Sequence, residues 1–176
     1  RPIETISACL NVIICLRSQG AYAEAQNLHR SLHEKISVLF PDDEVAISSR
    51  DTQAWLLGDF GDLEEEEAIR RNILQIQLSK FGPTSRQGLD AMRTLGSCLT
   101  RRKAFSQSEH LIRTVIQLES QLFGHRVSEE IHLRNSLIQQ VDLAAVLNGT
   151  DRYLEAEQLF GYINKVFPNL TAMEDR

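Results

Sequence analysis

The feature that most constrains this chain is a dipeptide that keeps returning. Phe followed by Gly or Pro occurs at Phe40-Pro41, Phe81-Gly82, Phe123-Gly124 and Phe167-Pro168, at spacings of 41, 42 and 44 residues. A second marker opens the later half of each interval: Tyr22, Leu63, Phe105 and Tyr153. It precedes the Phe by 18 residues in the first three intervals and by 14 in the last. A third marker, a turn residue shortly before the opener, is Gly20 and Gly61, with Lys103 and Asp151 as departures. Self-similarity at a fixed period of this length predicts a stack of small supersecondary units, none of which can bury its apolar face alone.

Each interval reads as two helices. In the first, Leu10, Val12, Ile13 and Leu16 precede the turn, and Leu28, Leu32, Ile36 and Leu39 follow it. Steps of three and four are those of a buried helical stripe. Pro41, Pro83 and Pro168 fall where a helix has to stop, and Gly20, Gly61 and Gly149 in or near the turn within a unit. Helices are predicted near 4–18, 21–39, 44–59, 62–80, 85–101, 104–122, 128–147 and 152–166. The predicted fold class is all-α, a right-handed α-solenoid of about four units and eight helices. It forms a single array over 1–176, with units near 4–40, 41–81, 82–123 and 124–167 and a frayed tail at 168–176.

Hydrophobic residues make up 42% of the chain, enough for a real core. A net charge of −5 with interspersed signs argues against nucleic acid or an anionic membrane as partner. No run approaches the roughly 18 apolar residues of a membrane span, and no signal-peptide pattern opens the chain. It starts at Arg1-Pro2 without a methionine, and its first helix is more apolar than one wet face requires. Both predict a piece excised from a longer protein. Cys9, Cys15 and Cys98 form no Cys-x-x-Cys pair, which favours a reducing, cytoplasmic compartment and no zinc site.

A turn Gly, then Tyr22, Glu24, Ala25 and a leucine-rich helix resembles a tetratricopeptide repeat. The period near 42 and the Phe-Gly-Pro junction resemble its longer kinesin-light-chain subtype. Ala54, Leu57, Gly61 and Leu63 match in unit two; Leu95-Gly96, Leu99 and Phe105 in unit three; Leu143-Ala144, Leu147, Tyr153, Ala156 and Phe160 in unit four. Similar arrays sit at the C-terminus of many fungal and bacterial nucleotide-binding signalling proteins. The resemblance implies a protein-interaction scaffold that takes a peptide or partner protein on a concave face lined by the first helix of each unit. The alternative is a structural or sensor segment of a larger signalling protein, contacting its own chain or self-associating through exposed end repeats.

The groove positions implied by the resemblance are Asn11 and Ile14, Asp51 and Trp55, Arg93 and Ser97, and Val141 and Ala145. Trp55, the single tryptophan, reads either as an aromatic anchor of the groove or as core between units. Relatives that clamp a peptide carboxylate use Lys, Asn and Arg on successive first helices, and those that read a peptide backbone use a ladder of Asn. Here Asn11 is followed at the equivalent places by Thr52, Thr94 and Asp142, so neither mode is predicted.

Unit two departs most. Arg50 and Gln53 replace leucine-like residues and Glu66 replaces Ala, which predicts looser packing. The run Glu64 to Glu67 reads as compensation of the helix dipole, with Glu66 paired to Arg70 and Glu67 to Arg71. Arg101-Arg102-Lys103 compensates the opposite end of a helix. His29 and His33 stand four apart beside Glu34, a spacing that can hold zinc. No third ligand is identifiable, and packing is the reading adopted. His110, His125 and His132 have no metal-ligand spacing, and Cys98 reads as a small core residue. The Asn148-Gly149-Thr150 and Asn169-Leu170-Thr171 acceptor patterns read as accidental. Catalytic and phosphate-binding motifs are missing. The sequence predicts no enzyme, no metal and no cofactor.

Overall fold

The computed structural model describes residues 2–40, 43–123 and 130–166. Pro41, Asp42, the Gly124–Glu129 stretch with His125, and everything from Phe167 onward lie outside the described residues, as do the side chains of Phe123 and His132. The described residues form eight α-helices and no strand: α1 (Pro2–Ser18), α2 (Tyr22–Leu39), α3 (Glu44–Phe60), α4 (Leu63–Phe81), α5 (Arg86–Arg101), α6 (Phe105–Phe123), α7 (Glu130–Gly149) and α8 (Tyr153–Val166). Each expected helix is present, with ends displaced by no more than two residues, apart from the expected start of the seventh at residue 128, which lies outside the described residues.

The turns inside the units share one geometry. Gly20, Gly61, Lys103 and Asp151 all take positive φ, at 78°, 84°, 61° and 59°. The residue after each donates its amide to a carbonyl in the last turn of the first helix. Ala21 reaches Leu16 at 2.9 Å, Asp62 reaches Leu57 at 3.0 Å, Ala104 reaches Leu99 at 2.9 Å and Arg152 reaches Leu147 at 2.9 Å. This satisfies carbonyls that the helix end would orphan. Lys103 and Asp151 are thus departures in sequence only; the backbone keeps the left-handed turn although a Cβ disfavours it. Gly149 does not make that turn. It is the last residue of α7, and a Cβ on it would overlap the Phe105 ring.

Among the described residues three N-termini are capped by side chains. Asp43 Oδ1 accepts from the Val45 amide at 3.1 Å, Asp62 Oδ1 from the Glu65 amide at 3.3 Å and Ser85 Oγ from the Gly88 amide at 3.0 Å.

The chain divides into two compact units, Arg1–Ile76 and Gln77–Arg176. In the first, Ile6, Leu10 and Ile13 of α1 pack with Ala25 and Ile36 of α2 and with Val45, Ala46 and Leu56 of α3. In the second, Ile112 of α6 packs with Leu143, Val146 and Leu147 of α7 and Ala156 of α8. Leu89, Leu95, Cys98 and Leu99 of α5 are buried as well. Close approach of α5 and α6 uses Gly96, where an added Cβ would lie 3.3 Å from Ile112 Cγ1.

The position three residues after each opener is buried in every unit, as Ala25, Glu66, Ser108 and Ala156. Ala needs no partner there. Ser108 donates its hydroxyl to the Gly96 carbonyl at 2.9 Å. Glu66 accepts from Arg70 Nε at 2.6 Å, and both side chains are buried. Glu67 pairs with Arg71 as expected. The glutamate run is therefore not a uniformly solvated face: Glu64 and Glu65 are exposed, whereas Glu66 and Glu67 are buried. The pairing made this affordable, because a buried carboxylate needs a cation and hydrogen bonds.

Candidate partner-binding surface

Side chains on the first helices α1, α3, α5 and α7 alternate between core and solvent with helical spacing. Nine residues before each opener stand Ile13, Ala54, Gly96 and Ala144, all buried. One residue later stand Ile14, Trp55, Ser97 and Ala145. Ile14, Trp55 and Ala145 are exposed and Ser97 is half-buried. Among the large apolar members of the surface, Ile14 is 49% exposed, Trp55 36% and Val141 46%. Asn11 is exposed too, while Asp51 and Arg93 are half-buried.

In the first unit, α1 and α3 are neighbours and bring Asn11 and Ile14 into the same unit as Asp51 and Trp55. Trp55 is held by charge. Its Nε1 donates to Asp51 Oδ2 at 3.2 Å. The Arg70 guanidinium lies 4.5 Å from the ring centroid and that of Arg17 lies 5.1 Å away. Asp51 Oδ1 accepts in turn from Arg70 Nη1 at 3.1 Å. Arg17 is bound by Asp59, with Nη2 to Oδ1 at 3.1 Å and a second contact from Nε to Oδ2. That hydrogen-bonded carboxylate raises the pKa of Arg17. A tryptophan clasped by two cations is fixed in orientation. Trp55 is exposed at the surface and rests on the buried Arg70.

In the second unit, α5 and α7 are neighbours and carry Arg93, Ser97, Val141 and Ala145. Arg93 bonds Asp90 on its own helix and Glu119 of α6. Glu119 also accepts from Gln139 Nε2 at 2.9 Å. Ser97 Oγ donates to Asp142 Oδ2 at 2.5 Å. Burial pushes the Asp142 carboxyl up, opposed by the Ser97 hydroxyl and the charge of Arg101. Arg93 and Ser97 are thus tied into the scaffold. Val141 and Ala145 are open, with Ile138 exposed one turn earlier on α7.

The residues equivalent to Asn11 do not form a polar ladder. Thr52 is buried and its hydroxyl donates to Ser48 O of its own helix at 2.9 Å. Thr94 does the same to Ala91 O at 3.1 Å. Asp142 is engaged by Ser97.

His29 and His33 are packing residues. Their rings stack at 5.4 Å, and both contact Ser49 of α3: His29 Nε2 lies 2.9 Å from the carbonyl and His33 Nδ1 lies 2.9 Å from the hydroxyl. Burial lowers both pKa values. A cavity of about 280 Å³ beside them is lined by Gln26, Arg30, Glu34 and Gln53 among others. Among the described residues no group of three or more His, Cys, Asp or Glu could hold a metal, and no helix is long and apolar enough to cross a membrane.

Sequence reasoning missed Arg17, Asp59, Glu119 and Gln139. A signal was present: several cross-links join residues about one period apart. Arg17 and Asp59 are separated by 42 residues, Glu109 and Arg152 by 43, and Ser97 and Asp142 by 45.

The fold has counterparts in solved structures. The chain is similar to a Podosopora anserina protein described as a kinesin light chain with nearly identical TPR-like repeats. The TM-score is 0.79 at 13% identity, covering 97% of this chain and 78% of that one. A variant form of that protein matches with a TM-score of 0.70 at 11% identity, covering 99% of each chain. BtubC (BKLC) from P. vanneervenii gives 0.55 at 12% identity, over 96% of this chain and 81% of that one. No family model matches the sequence, and no curated protein does. The chain has the all-α tetratricopeptide-like repeat fold.

Proposed function

We propose that this chain is a protein-interaction scaffold that binds a peptide or partner protein along the exposed side of its first helices. Four units, near 4–40, 41–81, 82–123 and 124–167, act as one array in this reading. Tetratricopeptide-like folds generally serve as scaffolds and not as catalysts. The observation that carries the proposal is the position occupied by Ile14, Trp55, Ser97 and Ala145. It stays at least partly open in every unit while its sequence neighbour Ile13, Ala54, Gly96 or Ala144 is buried. Apolar side chains exposed in register, beside a rigidly held tryptophan, suit a segment offering apolar anchors. The mixed charges of α1, α3, α5 and α7 favour a protein over a nucleic acid.

The test is selection of a displayed random peptide library on the immobilised chain, followed by titration of the enriched peptides. Ile14→Glu and Val141→Glu should each weaken binding about tenfold or more. Leu154→Glu, on the exposed side of α8, should leave it unchanged. Binding that survives the first two substitutions and fails with the third would overturn the proposal, as would the absence of any enriched peptide.

A further inference from the structure

The α2–α3 and α6–α7 junctions stand at equivalent places of the repeat and are filled differently. In the second, Ile112 of α6 packs with Leu143 of α7, and Ile116 packs against them. Ile112 and Ile116 stand seven and 11 residues after the opener Phe105, and Leu143 stands 10 before Tyr153. In the first junction the same three positions are His29, His33 and Gln53. Packing alone asks for apolar residues there, as the α6–α7 junction shows. With polar ones the α2–α3 junction holds a cavity of about 280 Å³, whose apolar lining is Leu56 and Leu57.

The charges beside this cavity have changed too. In α4 and α6 the residues four and eight after the opener form an ion pair, Glu67 with Arg71 and Glu109 with Arg113. In α2 they are Gln26 and Arg30, so Arg30 lacks the carboxylate that its counterparts have. An acid stands instead at Glu34, where α4 and α6 carry Gln75 and Gln117. Arg30 and Glu34 are exposed, and both line the cavity. Burial lowers the pKa of His29 and His33, so neither ring is charged at neutral pH. The cavity thus offers one cation, one anion, the amides of Gln26 and Gln53 and an apolar wall, with no net charge.

We propose that this cavity binds a small zwitterion, a free α-amino acid with an aliphatic side chain. Arg30 takes the carboxylate, Glu34 the ammonium group, and Leu56 and Leu57 the side chain. Gln26 and Gln53 supply neutral donors and acceptors. A simple anion would face Glu34 and a simple cation Arg30, in each case a like charge. The volume lies at the small end of ligand sites, roughly 300–1,000 Å³, which suits a ligand of this size. The site uses none of the residues of the first-helix surface.

The experiment is isothermal titration of the chain with L-valine, L-leucine and L-isoleucine. At least one should bind with a Kd of about 1 mM or tighter. No binding by any of the three would overturn the proposal. The N-acetyl derivative and the amide of the bound amino acid each lack one charged head and should bind about tenfold more weakly or worse. Equal binding of either would overturn the assignment of the two heads. Arg30→Gln and Glu34→Gln, both at exposed positions, should each weaken binding about tenfold or more. His29→Ile, His33→Ile and Gln53→Leu together fill the cavity as α6 and α7 do, and should abolish binding in a chain that still melts cooperatively. Unchanged binding by that folded variant, or by both charge variants, would place the ligand elsewhere and overturn the proposal.

Discussion

Arg70 and Glu66 form a buried ion pair: Nε donates to Oε1 at 2.6 Å, with the Arg70 side chain 1% exposed and that of Glu66 0%. Arg70 also reaches Asp51, while its Nη2 is buried with no hydrogen-bond partner. A pair of this kind is costly to break and cheap to replace as a whole. Arg70→Ala should cost about 3–5 kcal/mol in urea unfolding, because it takes the guanidinium away from the buried Glu66 carboxylate. Glu66→Ala with Arg70→Ile, which copies the apolar choice of Ile112 in α6, should recover most of that loss. Equal destabilisation by the single and double changes would show that the pair is not the reason Glu66 is tolerated.

Lys103 takes the left-handed conformation that Gly20 and Gly61 take in the earlier units. A Cβ in that region costs about 1–2 kcal/mol. Lys103→Gly should therefore stabilise the chain by about 1 kcal/mol, after the greater freedom of glycine in the unfolded state is subtracted. The readout is the urea midpoint at constant slope. A lower midpoint would mean that the lysine side chain contributes more than the backbone loses.

Gly149 gives room to the Phe105 ring. Gly149→Ala should destabilise by about 1–3 kcal/mol, the range for overfilling a packed site. Adding Phe105→Leu should relieve part of the penalty. Simple additivity of the two changes would contradict the contact.

Stability should fall as the solution is acidified through the histidine range. Burial lowers the pKa of His29, opposed by its Ser49 hydrogen bond, and burial lowers that of His33 with help from Arg50. Below the unfolded value of about 6.5 the unfolded chain takes up protons that the folded chain refuses. The stabilisation is complete above that pH and is lost below it, levelling off beneath the lowered folded values. Asp142, whose pKa burial raises, works in the opposite sense at lower pH. Comparing wild type with His29→Gln plus His33→Gln at pH 7.5 and 5.5 isolates the histidines. The variant should lose less stability than wild type over that interval, and an equal loss would refute the assignment.

Helix placement was legible because it rests on local signals: apolar steps of three and four, Pro stops and turn glycines. The turns at Lys103 and Asp151 were legible only through the period, since neither residue announces a left-handed backbone. The pairing of Glu66 with Arg70 was readable from their spacing of four and the burial of Glu66 from its place in the repeat, but that Arg70 would be buried with it was not. Spacing reports that two side chains share a helix face, and only tertiary packing decides whether that face is wet. The cation clasp on Trp55 was hidden for the same reason. Arg17 comes from one unit, Arg70 from the next, and nothing local to Trp55 points to either.

The most direct test of the binding account is hydrogen exchange on the chain with and without a selected peptide. Protection should concentrate in α1, α3, α5 and α7, strongest around Ile14, Trp55 and Val141, with α2, α4, α6 and α8 little changed. Protection confined to the second helices would contradict it.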